Sequence, residues 1–133
     1  MKKAVILALA CIGLLASPVW AADDIRKEPI RFKKGTSSAT VKGRIKGYQA
    51  VDYVLGARAG QTMKVSLKTS NGANYFIVLP PGSDAAIANG DTLGNKWTGT
   101  LPADGEYKIR VYLMRSAARR NETANYTLSV GIT

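Results

Sequence analysis

The sequence predicts an all-β protein, a single-domain antiparallel β-sandwich of about eight strands that follows a cleaved signal peptide. Three observations carry that expectation. Apolar and polar residues alternate in short runs, and turn residues punctuate the runs at spacings of roughly 8–12 residues. No helical stripe of useful length occurs beyond the first two dozen residues, and 133 residues suit one domain.

Residues 1–21 read as the signal peptide. Lys2 and Lys3 form a basic start, Ala4 to Leu15 is an apolar run, and Val19-Trp20-Ala21 ends in the small-x-small pattern of a cleavage site. The run is shorter than the roughly 20 residues of a membrane-spanning helix, so no membrane span is expected. Cys11 sits in Ala8-Leu9-Ala10-Cys11, a faint lipoprotein pattern. Ala8 stands where such signals carry leucine, and the apolar run continues past Cys11, so export as a soluble protein is the better reading. The short leader suits a bacterial exporter, and the expected location is the periplasm. The remaining domain, 22–133, has 17 basic and nine acidic residues, a formal charge of +8, and no cysteine. A packed core alone must hold it together.

The strands follow in order. Ile30 to Phe32 is a short candidate, and Val41-x-Gly43-x-Ile45 and Val51-x-Tyr53-x-Leu55 alternate weakly. Met63, Val65 and Leu67 alternate strongly with Lys64, Ser66 and Lys68. Tyr75 to Leu79 is apolar throughout, which predicts a central strand covered on both faces. Lys96 to Leu101 is another short candidate. Tyr107, Ile109, Val111 and Leu113 form an alternating set, as do Tyr126, Leu128, Val130 and Ile132. Gly47, Ala59-Gly60, Asn71-Gly72, Pro80-Pro81-Gly82, Asn89-Gly90 and Asp104-Gly105 supply the turns. Arg115 to Ala124 has room for one helical turn.

Composition excludes most chemistry. The chain has no histidine, and its one cysteine lies in the leader. The commonest general base and the usual zinc ligands are therefore missing, and neither an enzyme, a cofactor nor a metal site is expected. Asp84, Asp91 and Asp104 read as turn formers. The positive charge could serve nucleic acid, anionic glycan, headgroups or an acidic protein site. Export and the lack of an aromatic-interleaved basic motif argue against nucleic acid. Many of the cations (Lys42, Arg44, Lys46, Lys64, Lys68, Lys108, Arg110) occupy outward strand positions, where lysine also guards sheet edges.

Two segments stand apart. Lys46-Gly47-Tyr48-Gln49 is a tight connection, read as a hairpin tip, on which Tyr48 either projects outward or folds over the core rim. Arg115 to Asn121 carries three arginines in a connection longer than a hairpin needs, with Glu122 as the one nearby acid. On a helical turn Arg115 and Arg119 share a face and repel by roughly 0.2–0.5 kcal/mol, a cost that a carboxylate partner would offset. The alternative is a solvated basic loop.

At these segments the sequence resembles the periplasmic inhibitors of goose-type (g-type) lysozyme of Gram-negative bacteria. The resemblance begins at Phe32-Lys33-Lys34-Gly35-x-Ser37-Ser38-Ala39 and passes through Gly43-x-Ile45-Lys46-Gly47-Tyr48. It ends in Arg115-x-x-Ala118-Arg119-x-Asn121-x-Thr123-x-x-Tyr126, the most specific stretch, because strand geometry does not demand its arginine spacing. Gly60-Gln61 with Leu101-Pro102-Ala103-x-Gly105-x-Tyr107 also resembles small sandwich modules of secreted bacterial peptidases, so that pattern speaks for fold. The resemblance implies a monomeric sandwich that blocks the substrate cleft of a goose-type lysozyme, with Tyr48, Arg115, Arg119 and Asn121 at the contact. Pro80 to Lys96 shows no match to the family. The signature of chicken-type inhibitors, Ser-Gly-x-x-Tyr, is absent. A second reading, from the charge alone, is a non-catalytic module whose basic sheet face binds peptidoglycan or another anionic glycan.

Overall fold

The computed structural model describes residues 25–133, so the signal-peptide reading lies outside the described residues. Nine strands form two facing sheets. They are β1 (Ile25–Pro29), β2 (Ser38–Lys46), β3 (Ala50–Ala57), β4 (Thr62–Thr69), β5 (Asn74–Leu79), β6 (Ala88–Asn89), β7 (Lys96–Thr100), β8 (Gly105–Leu113) and β9 (Thr123–Ile132). Two short helices, α1 (Gly90–Leu93) and α2 (Arg115–Arg119), sit in connections. Sheet A runs β1-β3-β8-β5-β6 and sheet B runs β2-β9-β4-β7. The sandwich is antiparallel except at one edge, where β1 lies parallel to β3.

The alternating runs fold as their periodicity requires. Met63, Val65 and Leu67 of β4 turn inward with Leu128 and Val130 of β9, opposite Ile109 and Val111 of β8. All are buried, and removing that apolar area from water drives the two sheets together. A polar bond spans the same core. The hydroxyls of Tyr53 (sheet A) and Tyr126 (sheet B) meet at 2.7 Å, with their rings edge to face. Gly43 of β2 lies beneath the Tyr126 ring, where any side chain would collide with it.

Three expectations change. Ile30 to Phe32 forms no strand; the first strand is Ile25–Pro29, which alternates poorly because it is an exposed edge. Tyr75 to Leu79 is a strand, but not a central one covered on both faces. Only the two-residue β6 lies outside it, and Tyr75 and Ile77 stay half-buried on the outer face. Arg110 is outward, but it guards no edge. It donates through Nε and a terminal nitrogen to both oxygens of buried Asp52, its cross-strand neighbour, at 2.7 and 3.0 Å.

The ends of the sandwich differ. At one end the Tyr107 hydroxyl donates to the Ala103 carbonyl at 2.6 Å and accepts from the Ala103 amide, a tyrosine corner. There Asp104 accepts from the Ala59 amide, and the Gly60 amide donates to the Leu101 carbonyl. The Gly60-Gln61 and Leu101-to-Tyr107 pattern is thus a structural clasp at that end. The other end holds the candidate site.

Candidate functional site

Three connections meet at the site end, β2–β3, β4–β5 and β8–β9, and each crosses from sheet B to sheet A or back. The Tyr48 segment is therefore a crossover between sheets and not a hairpin tip. Its turn is closed by Gln49 N–H donating to the Lys46 carbonyl at 3.1 Å and by the Gln49 side-chain oxygen accepting from the Lys46 amide. Gly47 takes a φ of 62°, a left-handed conformation that glycine adopts without steric cost.

The β8–β9 connection is built on α2. Buried Ala117 and Ala118 seat the helix on the core, which leaves Arg115, Ser116, Arg119 and Arg120 exposed. Asn121 ends it with a φ of 58°, a position that asparagine tolerates. Its amide donates to the Ala118 carbonyl, and that of Glu122 donates to the Ala117 carbonyl.

Two braces join these segments. Gly47 N–H donates to the Glu122 carbonyl at 2.9 Å, and a Cβ on Gly47 would stand 2.6 Å from the Asn121 side-chain oxygen. Asn71, in the β4–β5 turn, donates to the Glu122 carboxylate at 2.9 Å and to the Thr123 carbonyl at 3.2 Å. Tyr48, Arg115, Arg119 and Asn121, singled out from sequence, thus lie on connections tied together at one end, with the Asn121 side chain packed close to Gly47.

The charge at this end is unbalanced. Glu122 accepts from Arg120 Nε at 2.7 Å, and the bonds from Asn71 and then Arg120 hold its carboxyl below the usual carboxylate value. The ion pairs found among the described residues include neither Arg115 nor Arg119.

Sequence reasoning missed two apolar members. The exposed large hydrophobic side chains among the described residues are Tyr48 (49%), Leu93 (44%) and Met114 (42%). Met114 immediately precedes α2. Leu93 flanks the same end, because Asn95, two residues on, donates to the Asn74 carbonyl beside the β4–β5 turn. Parity could have found Met114. It follows inward Leu113 and must face outward, an unusual place for a large apolar side chain.

Fold and candidate site together define a small β-sandwich with a braced, basic and partly apolar loop end. The chain is 34% identical over 135 residues to the inhibitor of g-type lysozyme of Escherichia coli (strain K12), spanning 99% of this chain and 96% of that protein. It belongs to the family of g-type lysozyme inhibitors, whose members are named as inhibitors and not as enzymes.

Solved structures agree. The periplasmic g-type lysozyme inhibitor PliG of Aeromonas hydrophila matches with a TM-score of 0.76 at 43% identity, over 82% of this chain and 97% of that one. PliG of Salmonella Typhimurium matches with a TM-score of 0.66 at 31% identity, over 81% and 98%. The pre-peptidase C-terminal domain of a Bacillus anthracis collagenase shares the fold alone, at 15% identity and a TM-score of 0.53. No family model matches the sequence.

Proposed function

We propose that this protein inhibits goose-type lysozyme in the periplasm, with residues 1–21 as its export leader and 22–133 as a monomeric inhibitory domain. In this reading the β2–β3 crossover and the α2 connection enter the enzyme's substrate cleft and so protect peptidoglycan. The supporting observation is that Tyr48, Met114, Arg115 and Arg119 stand on segments cross-braced at one end of the sandwich.

The physics follows from that rigidity. A lysozyme cleft holds carboxylates that protonate or stabilise an oxocarbenium-like centre. An arginine, ionised at any working pH, bonds such a carboxylate in bidentate fashion and holds it in its charged form, which cannot protonate a leaving group. Tyr48 fills an apolar saccharide subsite and keeps water from the ion pairs. Braced loops lose little freedom on docking, which lowers the entropic cost of binding.

The test is lysis of peptidoglycan by a goose-type lysozyme, with and without the purified protein. Inhibition should be lost on joint Tyr48→Ala, Arg115→Ala and Arg119→Ala substitution. Unchanged lysis at micromolar excess of the unsubstituted protein would sink the proposal.

A further inference from the structure

The outer face of sheet B has a composition that neither the fold nor lysozyme binding requires. Its exposed positions carry six cations: Lys42, Arg44 and Lys46 on β2, Lys64 and Lys68 on β4, and Lys96 on β7. Of the nine acids in the sequence, none lies in the four strands of sheet B. The acids that do lie in strands, Glu28, Asp52 and Glu106, are all in sheet A. The ion pairs among the described residues involve none of the six cations.

Between the cations run hydroxyls. Strand register sets Thr40, Ser129, Ser66 and Lys96 side by side across all four strands. The Thr40 and Ser129 oxygens are 3.4 Å apart. The next row is Ser38, Gly131, Lys64 and Thr98, and a third sets Thr127 between Lys42 and Lys68. The first two rows floor an open trough of about 410 Å³.

Edge protection explains part of this charge, since β2 and β7 are edge strands. It does not explain Lys64, which has β9 on one side and β7 on the other. Strands lie about 4.8 Å apart and alternate residues roughly 7 Å apart, so the six cations share a patch a few Debye lengths across. Such like charges repel one another, and a polyanion laid across the face relieves that cost. The large hydrophobic side chains exposed among the described residues, Tyr48, Leu93 and Met114, all lie off this face, which disfavours a membrane surface.

We propose that this face docks peptidoglycan. The lysines and Arg44 meet the carboxylates of the stem peptides, and the Thr40–Ser129–Ser66 row hydrogen-bonds the sugar hydroxyls. The charge and hydroxyl pattern calls for a carboxylate-bearing glycan, and the choice of peptidoglycan rests on the periplasmic reading above. The inhibitor would then be held at the polymer that it protects, with its loop end left open to the enzyme.

The test is cosedimentation of the purified protein with insoluble peptidoglycan sacculi, with no lysozyme present. Retention is expected at low salt and should weaken as salt rises. Lys42→Ser, Lys64→Ser and Lys68→Ser together should cut retention roughly tenfold. Arg31→Ser, Lys33→Ser and Lys34→Ser, which remove equal charge from the β1–β2 connection, should leave it nearly unchanged. The joint Tyr48, Arg115 and Arg119 alanine variant should lose inhibition and keep retention, so failure of one reading is told apart from failure of the other. Three outcomes overturn the proposal: unsubstituted protein staying in the supernatant, equal loss in both charge variants, or pelleting with phosphatidylglycerol vesicles but not with sacculi.

Discussion

Arg115 and Arg119 sit above two buried alanines, so either can be truncated without opening the core. Their effect on inhibition is therefore separable from stability. Arg119→Ala should weaken inhibition by roughly 2–5 kcal/mol if its carboxylate partner is stranded in the cleft, with thermal stability unchanged. Arg119→Lys should recover only part of this, since lysine keeps the charge and loses the bidentate fork. Inhibition constants for the two variants check the ordering; equal inhibition by the alanine variant and the parent would remove Arg119 from the contact. The buried tyrosine pair makes a different prediction. Burial raises both phenols above their ordinary value, and for Tyr126 the bond to Tyr53 raises it further. A phenol with a raised folded value contributes stability that is intact below its unfolded value near 10 and is lost as pH climbs beyond it. Melting temperature should therefore fall as pH rises above about 10, and less steeply in a Tyr53→Phe, Tyr126→Phe double variant, which has no phenol there to ionise. Tyr126→Phe alone strands the Tyr53 hydroxyl and should cost about 1–2 kcal/mol at neutral pH.

Among the elements, the β2–β3 and β8–β9 crossovers stand or fall together, and Gly47 is where they meet. A side chain at Gly47 must adopt a left-handed φ and displace the Asn121 oxygen. Gly47→Ala should cost about 1–2 kcal/mol of stability and weaken inhibition as well, because it loosens α2. Denaturant melts together with inhibition assays check both; a stable variant with full inhibition would show that the brace is dispensable. The strands β4, β8 and β9 were legible in the sequence because each has one dry and one wet face, and alternation reports that contrast directly. Alternation says nothing about which sheet a strand joins. The Tyr48 turn consequently read as a hairpin although it crosses the sandwich, and β1 was missed because edge exposure erases its period. Tyr75 and Ile77 read as doubly covered because they are apolar, but sheet position decides cover and β5 lies next to the edge. At the site, the arginine spacing and Tyr48 could be read separately. That Gly47 bonds to Glu122, 75 positions later, could not, because nothing local encodes so distant a contact.

For the whole molecule, long-range charge and local complementarity oppose each other. The domain after the leader carries +8; six of its cations lie on the outer face of sheet B and three at the α2 connection, while the acids of its strands lie on sheet A. Lysozymes are usually basic, so the approach of the two proteins is repelled overall, whereas in the proposed complex the docked arginines would meet carboxylates at contact distance. Salt screens the first effect, which acts over more than a Debye length of roughly 8 Å, far more than the second, which acts within a water-excluded cleft. Association should therefore quicken slightly, or stay level, as sodium chloride rises from about 20 to about 300 mM. Dissociation should change little, since it reports the buried contacts. Rate constants measured by surface-immobilised lysozyme across that range decide the matter. A steep fall in association rate with salt would mean that the basic surface is attracted to its target at long range, and that inhibition uses the charge of sheet B and not the loop end alone.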